Sequence, residues 1–87
     1  MKIKDGFMLR EVAGQWVAVP LAEKVVEFNG IITLTETAAF VWRTLRNEVS
    51  EEEVVSALVA EYDVDENTAR KDTRAFLACI DAKGLLV

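Results

Sequence analysis

The side chains that most often perform catalysis or bind metals are sparse in this sequence. There is no histidine, and Cys79 is the only cysteine, so the chain can build neither a histidine base nor a thiolate metal cluster. No GxGxxG or P-loop pattern is present to hold phosphates. Cys79 lies beside the apolar stripe of a predicted helix, so we expect a small buried side chain and not a nucleophile. The sequence therefore predicts a protein that is not an enzyme and holds no cofactor and no metal.

The carboxylates are numerous, and their positions indicate a structural role. Three glutamates at 51–53 follow Ser50 in the first turn of a predicted helix, where acidic side chains complement the helix dipole. The formal net charge is −5, from 15 acidic and 10 basic side chains. A domain that grips phosphates needs a surplus of lysine and arginine on one face. This balance disfavours nucleic acid as a partner.

The length of 87 residues predicts one domain, covering residues 1–87. The longest apolar runs are a few residues, far below the roughly 20 needed to span a bilayer. Charged residues interrupt the N-terminal segment, so no signal-peptide core can be drawn there. We expect a cytoplasmic protein with no membrane partner.

The first third of the chain has the pattern of strands. Residues 7–12 and 16–20 are extended apolar runs, joined by a short connection that contains Gly14 and is of hairpin length. A third run follows at 25–34, with Asn29-Gly30 in its middle. That pair is typical either of a turn, which would split the run into two short strands, or of a bulge in a single strand.

The remainder has the pattern of three helices. Thr35, Ser50 and Asp65 are their predicted N-caps, and Ser50 with Glu53 has the spacing of a capping box. The apolar faces recur at helical spacing. They comprise Ala38, Val41, Trp42 and Leu45 in the first helix, Val54, Val55, Leu58, Val59 and Tyr62 in the second, and Ala69, Thr73, Phe76 and Ile80 in the third.

Phe40 falls outside the stripe of the first helix. We favour packing against the N-terminal strands over a partner contact, because buried aromatic side chains dominate small cores. Gly84 is the predicted stop of the third helix, with the last three residues packed back on the core. The fold class is therefore α+β: an N-terminal antiparallel sheet of two or three strands, at about 7–34, followed by a three-helix bundle at about 35–83.

Two stretches carry a resemblance to a known family. They read LTETAAFVWRTL, from Leu34, and SEEEVVSALVAEYDVDENTARKDTRAFLACIDAKGLL, from Ser50. The matching positions are Leu34, Thr35, Ala38, Val41-Trp42, Tyr62, Val64, Asp72, Phe76-Leu77 and Gly84-Leu85-Leu86. In this pattern the chain resembles the PqqD family, small proteins of pyrroloquinoline quinone biosynthesis and their relatives in other peptide pathways. Two positions depart from the family pattern: Thr35 stands where the family has Asn or Asp, and Thr73 stands where it has an aliphatic residue. The segment LTETAAFVW is closer to the relatives in other peptide pathways than to the quinone-pathway member, so it favours such a relative.

The resemblance implies a RiPP recognition element, a winged-helix-like domain that binds the leader of a ribosomally made precursor peptide. Such a domain presents the precursor to a modifying enzyme, often a radical SAM protein. In the family the leader adds as a strand beside the third strand, in a groove formed with the third helix, so backbone pairing supplies affinity. Mapped here, the strand is 25–31 and the helix is 65–83. The implied strand contacts are Val25, Val26, Glu27, Phe28, Asn29 and Ile31.

The third helix has two flanks beside its apolar stripe. One carries Arg70, Arg74 and Leu77, and the other carries Asp72, Ala75 and Cys79. We assign Arg70, Arg74 and Leu77 to the wall of the groove. Leu77 would supply an apolar floor, and the two arginines would supply a basic rim for an acidic leader. The alternative is that this flank is an ordinary solvated helix face.

Two other functions stay open at this point. A winged-helix DNA-binding protein would share the helical half but would need basic residues that this chain does not have in surplus. A dimerisation module would use the open strand edge for self-association, so both a monomer and a homodimer are compatible with the sequence.

Overall fold

The computed structural model describes residues 1–21 and 31–87. In these residues the strands are β1 (Phe7–Val12), β2 (Gln15–Pro20) and β3 (Ile32–Leu34), and the helices are α1 (Glu36–Thr44), α2 (Glu51–Tyr62) and α3 (Glu66–Ala82). The strands form one antiparallel sheet in the order β1-β2-β3. A sheet followed by three helices confirms the predicted α+β fold.

The β1-β2 connection is a tight two-residue turn. Val12 pairs with Gln15, so Gln15 belongs to β2 and only Ala13 and Gly14 remain in the loop. Both have positive φ, 52° and 80°, which is the signature of a type I′ turn that matches the twist of the two strands. Of the third apolar run, residues 32–34 form β3, and the Asn29-Gly30 pair lies outside the described residues.

Each helix begins at its predicted cap. The Thr35 hydroxyl accepts the amide of Ala38 at 3.1 Å, and an Asp65 carboxylate oxygen accepts the amide of Thr68 at 2.8 Å. Ser50 and Glu53 form a reciprocal capping box with distances of 3.1 and 2.9 Å. These contacts satisfy backbone donors that a helix start leaves without intrahelical partners.

Trp42 of α1 lies at the centre of the core. It is 1% exposed and meets the Phe7 ring of β1 edge to face, with centroids 5.7 Å apart. Because α1 packs on both the sheet and α2, its buried face is wider than the predicted stripe and includes Ala39, whereas Ala38 is only partly buried. Phe40 packs edge to face on Tyr62 of α2, at 5.4 Å. Phe40 therefore packs against the core, with α2 as a partner that the sequence did not predict.

The buried face of α3 is rotated relative to the prediction. It consists of Ala69, Thr73, Leu77 and Ile80, and Phe76 is only partly buried. Leu77 is 9% exposed and belongs to the core, so it takes the place that the sequence pattern gave to Phe76. Cys79 is exposed, because it lies about 200° around the helix from Leu77. The expectation that Cys79 is buried is wrong.

The two ends of the chain pair with each other, with an antiparallel bridge between Ile3 and Leu86. Gly84, with φ of 72°, turns the backbone after α3. Of the last three residues, Leu85 is buried in the core as predicted and Leu86 is partly buried, but Val87 is 81% exposed, so its predicted packing is wrong. The Lys4 amide donates to the Leu85 carbonyl and the Val87 amide to the Lys2 carbonyl, both at 2.8 Å. This pairing holds the end of α3 in place relative to the rest of the bundle.

Candidate peptide-binding site

Within the described residues β3 pairs only with β2, so its other edge is unpaired in that part of the chain. The Leu21 amide donates to the Gly6 carbonyl at 2.8 Å, which shows that odd-numbered residues along β2 turn their backbone groups toward β1. Even-numbered residues of β2 then face β3, where Trp16 pairs with Leu34 and Ala18 with Ile32. By the alternation of an antiparallel ladder, the N–H and C=O of Thr33 point to the free edge.

An open pocket of about 460 Å³ lies at the end of this strand, between α1, α2 and α3. Its lining is mainly apolar and comes from all three helices and the adjoining turns. The lining residues are Thr35, Thr37, Ala38, Val41, Leu58, Tyr62, Val64, Ala69, Asp72, Ala75 and Phe76. A pocket of this size and character is typical of ligand sites, whose volumes are about 300–1,000 Å³.

Few polar groups reach the pocket. Asp72 is the only charged residue among the described lining residues. It is exposed and makes no hydrogen bond or ion pair with the part of the chain that the structure describes. Burial raises the pKa of Tyr62, and the negative charges of Glu36 and Glu61 raise it further against the opposing effect of Arg43. Asp72 thus places one negative charge at the rim of a mainly apolar pocket.

Arg70 lies on the opposite flank of α3, against the first turn of α2. Its guanidinium binds both carboxylate oxygens of Glu52, one of them at 3.1 Å, and also Glu66 at 2.9 Å. The hydrogen bond from Arg70 lowers the pKa of Glu52, and the bonds to Glu52 and Glu66 raise the pKa of Arg70. The donors of Arg70 are therefore directed into the protein's own carboxylates.

Arg74, one turn further along, also turns to α2. Its Nε donates to both oxygens of Glu51 at 3.2 Å, and its Nη2 lies 3.2 Å from the same carboxylate. Leu77, the third residue of this flank, is in the core. The structure thus places Arg70 and Arg74 in an ion-pair network between α2 and α3, and brings neither of them to the pocket lining.

The predicted strand contacts fall mostly beyond what the structure describes. Ile31 is 59% exposed and immediately precedes β3. The other five, Val25, Val26, Glu27, Phe28 and Asn29, lie outside the described residues.

The sequence pattern assigned Asp72 to the flank away from the groove and did not single out the pocket. One signal was available, since Asp72 has no basic residue three or four positions away, whereas Arg70 has Glu66 at that spacing. In the described ranges, no cluster of His, Cys, Asp and Glu could hold a metal ion, and no helix is long and apolar enough to cross a membrane.

Comparison with known proteins gives both a family and a fold. The family model for PqqD, described as coenzyme PQQ synthesis protein D, matches residues 15–86. No curated protein matches the sequence. Among solved structures, TbiB1 in complex with the TbiA(beta) leader peptide is 30% identical with a TM-score of 0.73, over 99% of this chain and 94% of that chain.

A second structure, lasso peptide synthetase B1 complexed with the leader peptide, is 19% identical with a TM-score of 0.70. The alignment covers 97% of this chain and 93% of that chain, and the likeness shows a shared fold. The family match spans most of the sequence and agrees with both structures. The chain therefore belongs to the PqqD family.

Proposed function

We propose that this protein binds the leader segment of a ribosomally synthesised precursor peptide and presents it to a modifying enzyme. The leader adds as a strand to the free edge of β3, and its side chains reach the pocket beside α3. Backbone pairing of this kind supplies affinity, and alternate side chains supply selectivity. The role is one of binding and presentation, without catalysis by this chain.

The observation that carries the proposal is the position of a strand edge, unpaired within residues 1–21 and 31–87, next to an apolar pocket. The N–H and C=O of Thr33 face the free edge, and Thr35, two residues on, already lines the pocket. A peptide paired with β3 would therefore run directly over the pocket. TbiB1, which is 30% identical over nearly the whole chain, was solved as a complex with a leader peptide.

The receiving edge proposed here extends from β3 back through 25–31. Pairing of a leader with Val25, Val26, Glu27, Phe28, Asn29 and Ile31 stays a prediction. A contribution from Arg70, Arg74 and Leu77 also stays a prediction, and both arginines already contact carboxylates of this chain.

The partner enzyme in this proposal is of the radical SAM type, and this part rests on the family resemblance alone. A short peptide reading frame encoded beside a radical SAM enzyme and this chain would support it. A neighbouring enzyme of another class would replace that partner and leave peptide binding intact.

Selection from a display library of random peptides tests the binding function, followed by affinity measurement for one selected peptide. Thr33→Pro removes the outward amide of β3 and should weaken binding by at least about tenfold, the upper range of one hydrogen bond, because the ring also obstructs the edge. The matched control is Glu11→Pro, at an outward position on the opposite edge of the same sheet. Both variants should melt near the parent, since neither amide belongs to the ladder.

Hydrogen exchange locates the paired segment. Amide protection along 25–34 should rise when the selected peptide is added, and amides of α1 should change little. Tight binding with flat protection there, or equal affinity of Thr33→Pro and Glu11→Pro, would rule out strand addition. Failure of the parent domain to select any peptide would overturn the function itself.

A further inference from the structure

We propose that the pocket between α1, α2 and α3 selects a basic leader, by taking an apolar side chain while Asp72 pairs with a lysine or arginine next to it. This inference rests on the proposed function and specifies its ligand. The leader is then basic, whereas Arg70 and Arg74 in the sequence alone predicted an acidic leader.

The basic side chains of α3 that were expected to attract an acidic leader already have partners. Arg70 contacts three carboxylates and Arg74 contacts one, all of them on α2 or on α3 itself. An incoming carboxylate would compete with these contacts, so its gain from binding would be smaller than at an unpaired arginine. That flank offers little attraction to an acidic peptide.

Asp72 is in the opposite situation. It is the one charged residue among the described lining residues, and it has no cation within reach in the described part of the chain. A peptide lysine or arginine at the pocket rim would gain an ion pair without displacing any existing contact. The carboxylate is exposed, so its own desolvation on pairing is small.

The surrounding charges add to this preference. Glu36 in the first turn of α1 and Glu61 near the end of α2 both act on Tyr62, which lines the pocket. Arg43 opposes them, but its guanidinium is stacked on Trp16 and Phe40, 5.1 and 5.9 Å from the ring centroids. Among the charged groups that act on Tyr62, two acidic side chains oppose one arginine, and together with Asp72 they favour a cation at this end of the pocket.

The floor of the pocket selects the neighbouring residue. Val41, Leu58 and Phe76 present apolar surface, and burial of an aliphatic or aromatic side chain there would supply most of the affinity. The Tyr62 hydroxyl makes no hydrogen bond in the described residues and is available to a polar tip on that side chain. The recognised feature is thus an apolar residue with a basic residue beside it.

The test selects random peptides separately on the parent, Asp72→Asn and Asp72→Lys. Peptides bound by the parent should be enriched in lysine or arginine beside an apolar residue, Asp72→Asn should lose the enrichment, and Asp72→Lys should favour acidic residues. Asp81→Asn is the matched control, because it removes the same charge from an exposed position of α3 outside the pocket lining.

Affinities for one selected peptide complete the test. Asp72→Asn should raise its Kd by about two- to fivefold at low salt and less at high salt, and replacing the basic residue of the peptide should abolish that difference. Asp81→Asn should leave the Kd unchanged. Peptides without basic enrichment, or equal effects of Asp72→Asn and Asp81→Asn, would overturn the inference and leave peptide binding standing. If the parent selects no peptide, both proposals fall.

Discussion

The two flanks of α3 carry charged residues of opposite sign and meet opposite surroundings. On one flank Arg70 and Arg74 contact the glutamates that open α2. On the other flank Asp72 stands at the rim of an apolar pocket without a partner in the described chain. The arginines join two helices, whereas the aspartate remains available to a ligand.

This difference shows that the availability of a charge depends on the helix packed beside it. The glutamates of α2 complement the helix dipole and at the same time neutralise the arginines of α3. A basic flank that looks like a binding surface in the sequence therefore becomes an internal contact in the fold. Asp72 on the other flank has no such partner in the described chain, because the residues that line the pocket near α1 are threonines and apolar residues.

The largest expected difference in stability and peptide binding is that between substitutions of the adjacent residues Leu77 and Phe76. Leu77→Ala empties part of the core and should lower the free energy of unfolding by about 2–5 kcal/mol, measured by urea denaturation. Phe76→Ala should cost less stability, because Phe76 is only partly buried, but should weaken peptide binding more than any other change in the pocket. Equal loss of stability in both variants would mean that Phe76 belongs to the core and not to the groove.

Thr73 lies on the buried face of α3, between the two flanks, and its substitution tests the cost of a buried polar group there. It is fully buried, and its hydroxyl has no hydrogen-bond partner in the described structure. Thr73→Val keeps the shape and removes the unpaired group, so the free energy of unfolding should rise by about 1 kcal/mol. A fall in stability would show that the hydroxyl is satisfied in solution, for example by water. Thr73→Ser is the control, since it keeps the hydroxyl and should not stabilise the domain.

The features of this fold that were predictable from the sequence are those set by local contacts. The caps at Thr35, Ser50 and Asp65 act through residues three positions away, and the short connection that contains Gly14 joins adjacent strands of a hairpin. The contact of Phe40 with Tyr62, which was not predicted, and the exposure of Cys79, which was wrongly predicted to be buried, both depend on packing between distant elements. Helical periodicity gives the width of an apolar face but leaves its rotation uncertain by about one residue, which is the difference between Phe76 and Leu77 at the core position of α3.

The same limit applies to the candidate site. The free edge beside the third strand followed from the resemblance, but the side of α3 that lines the pocket depends on how α1, α2 and α3 pack together. The ion pairs of Arg70 with Glu52 and of Arg74 with Glu51 join residues 18 and 23 positions apart. No local pattern in the sequence contains that information.

The smallest expected effect is that of Arg74→Gln. This variant tests most directly which flank of α3 contacts the peptide. The Arg74 side chain is 63% exposed, so its pair with Glu51 contributes only about 0.2–1 kcal/mol and is screened by salt. The variant should melt slightly below the parent at low salt and equal to it at high salt.

Because Arg74 does not line the pocket, the Kd of a selected peptide should change by less than about twofold, the lower end for an exposed pair. Asp72→Asn, measured with the same peptide, is the reference. If Arg74→Gln instead weakens the peptide more than Asp72→Asn does, the arginine exchanges Glu51 for the ligand and the basic flank is the groove wall.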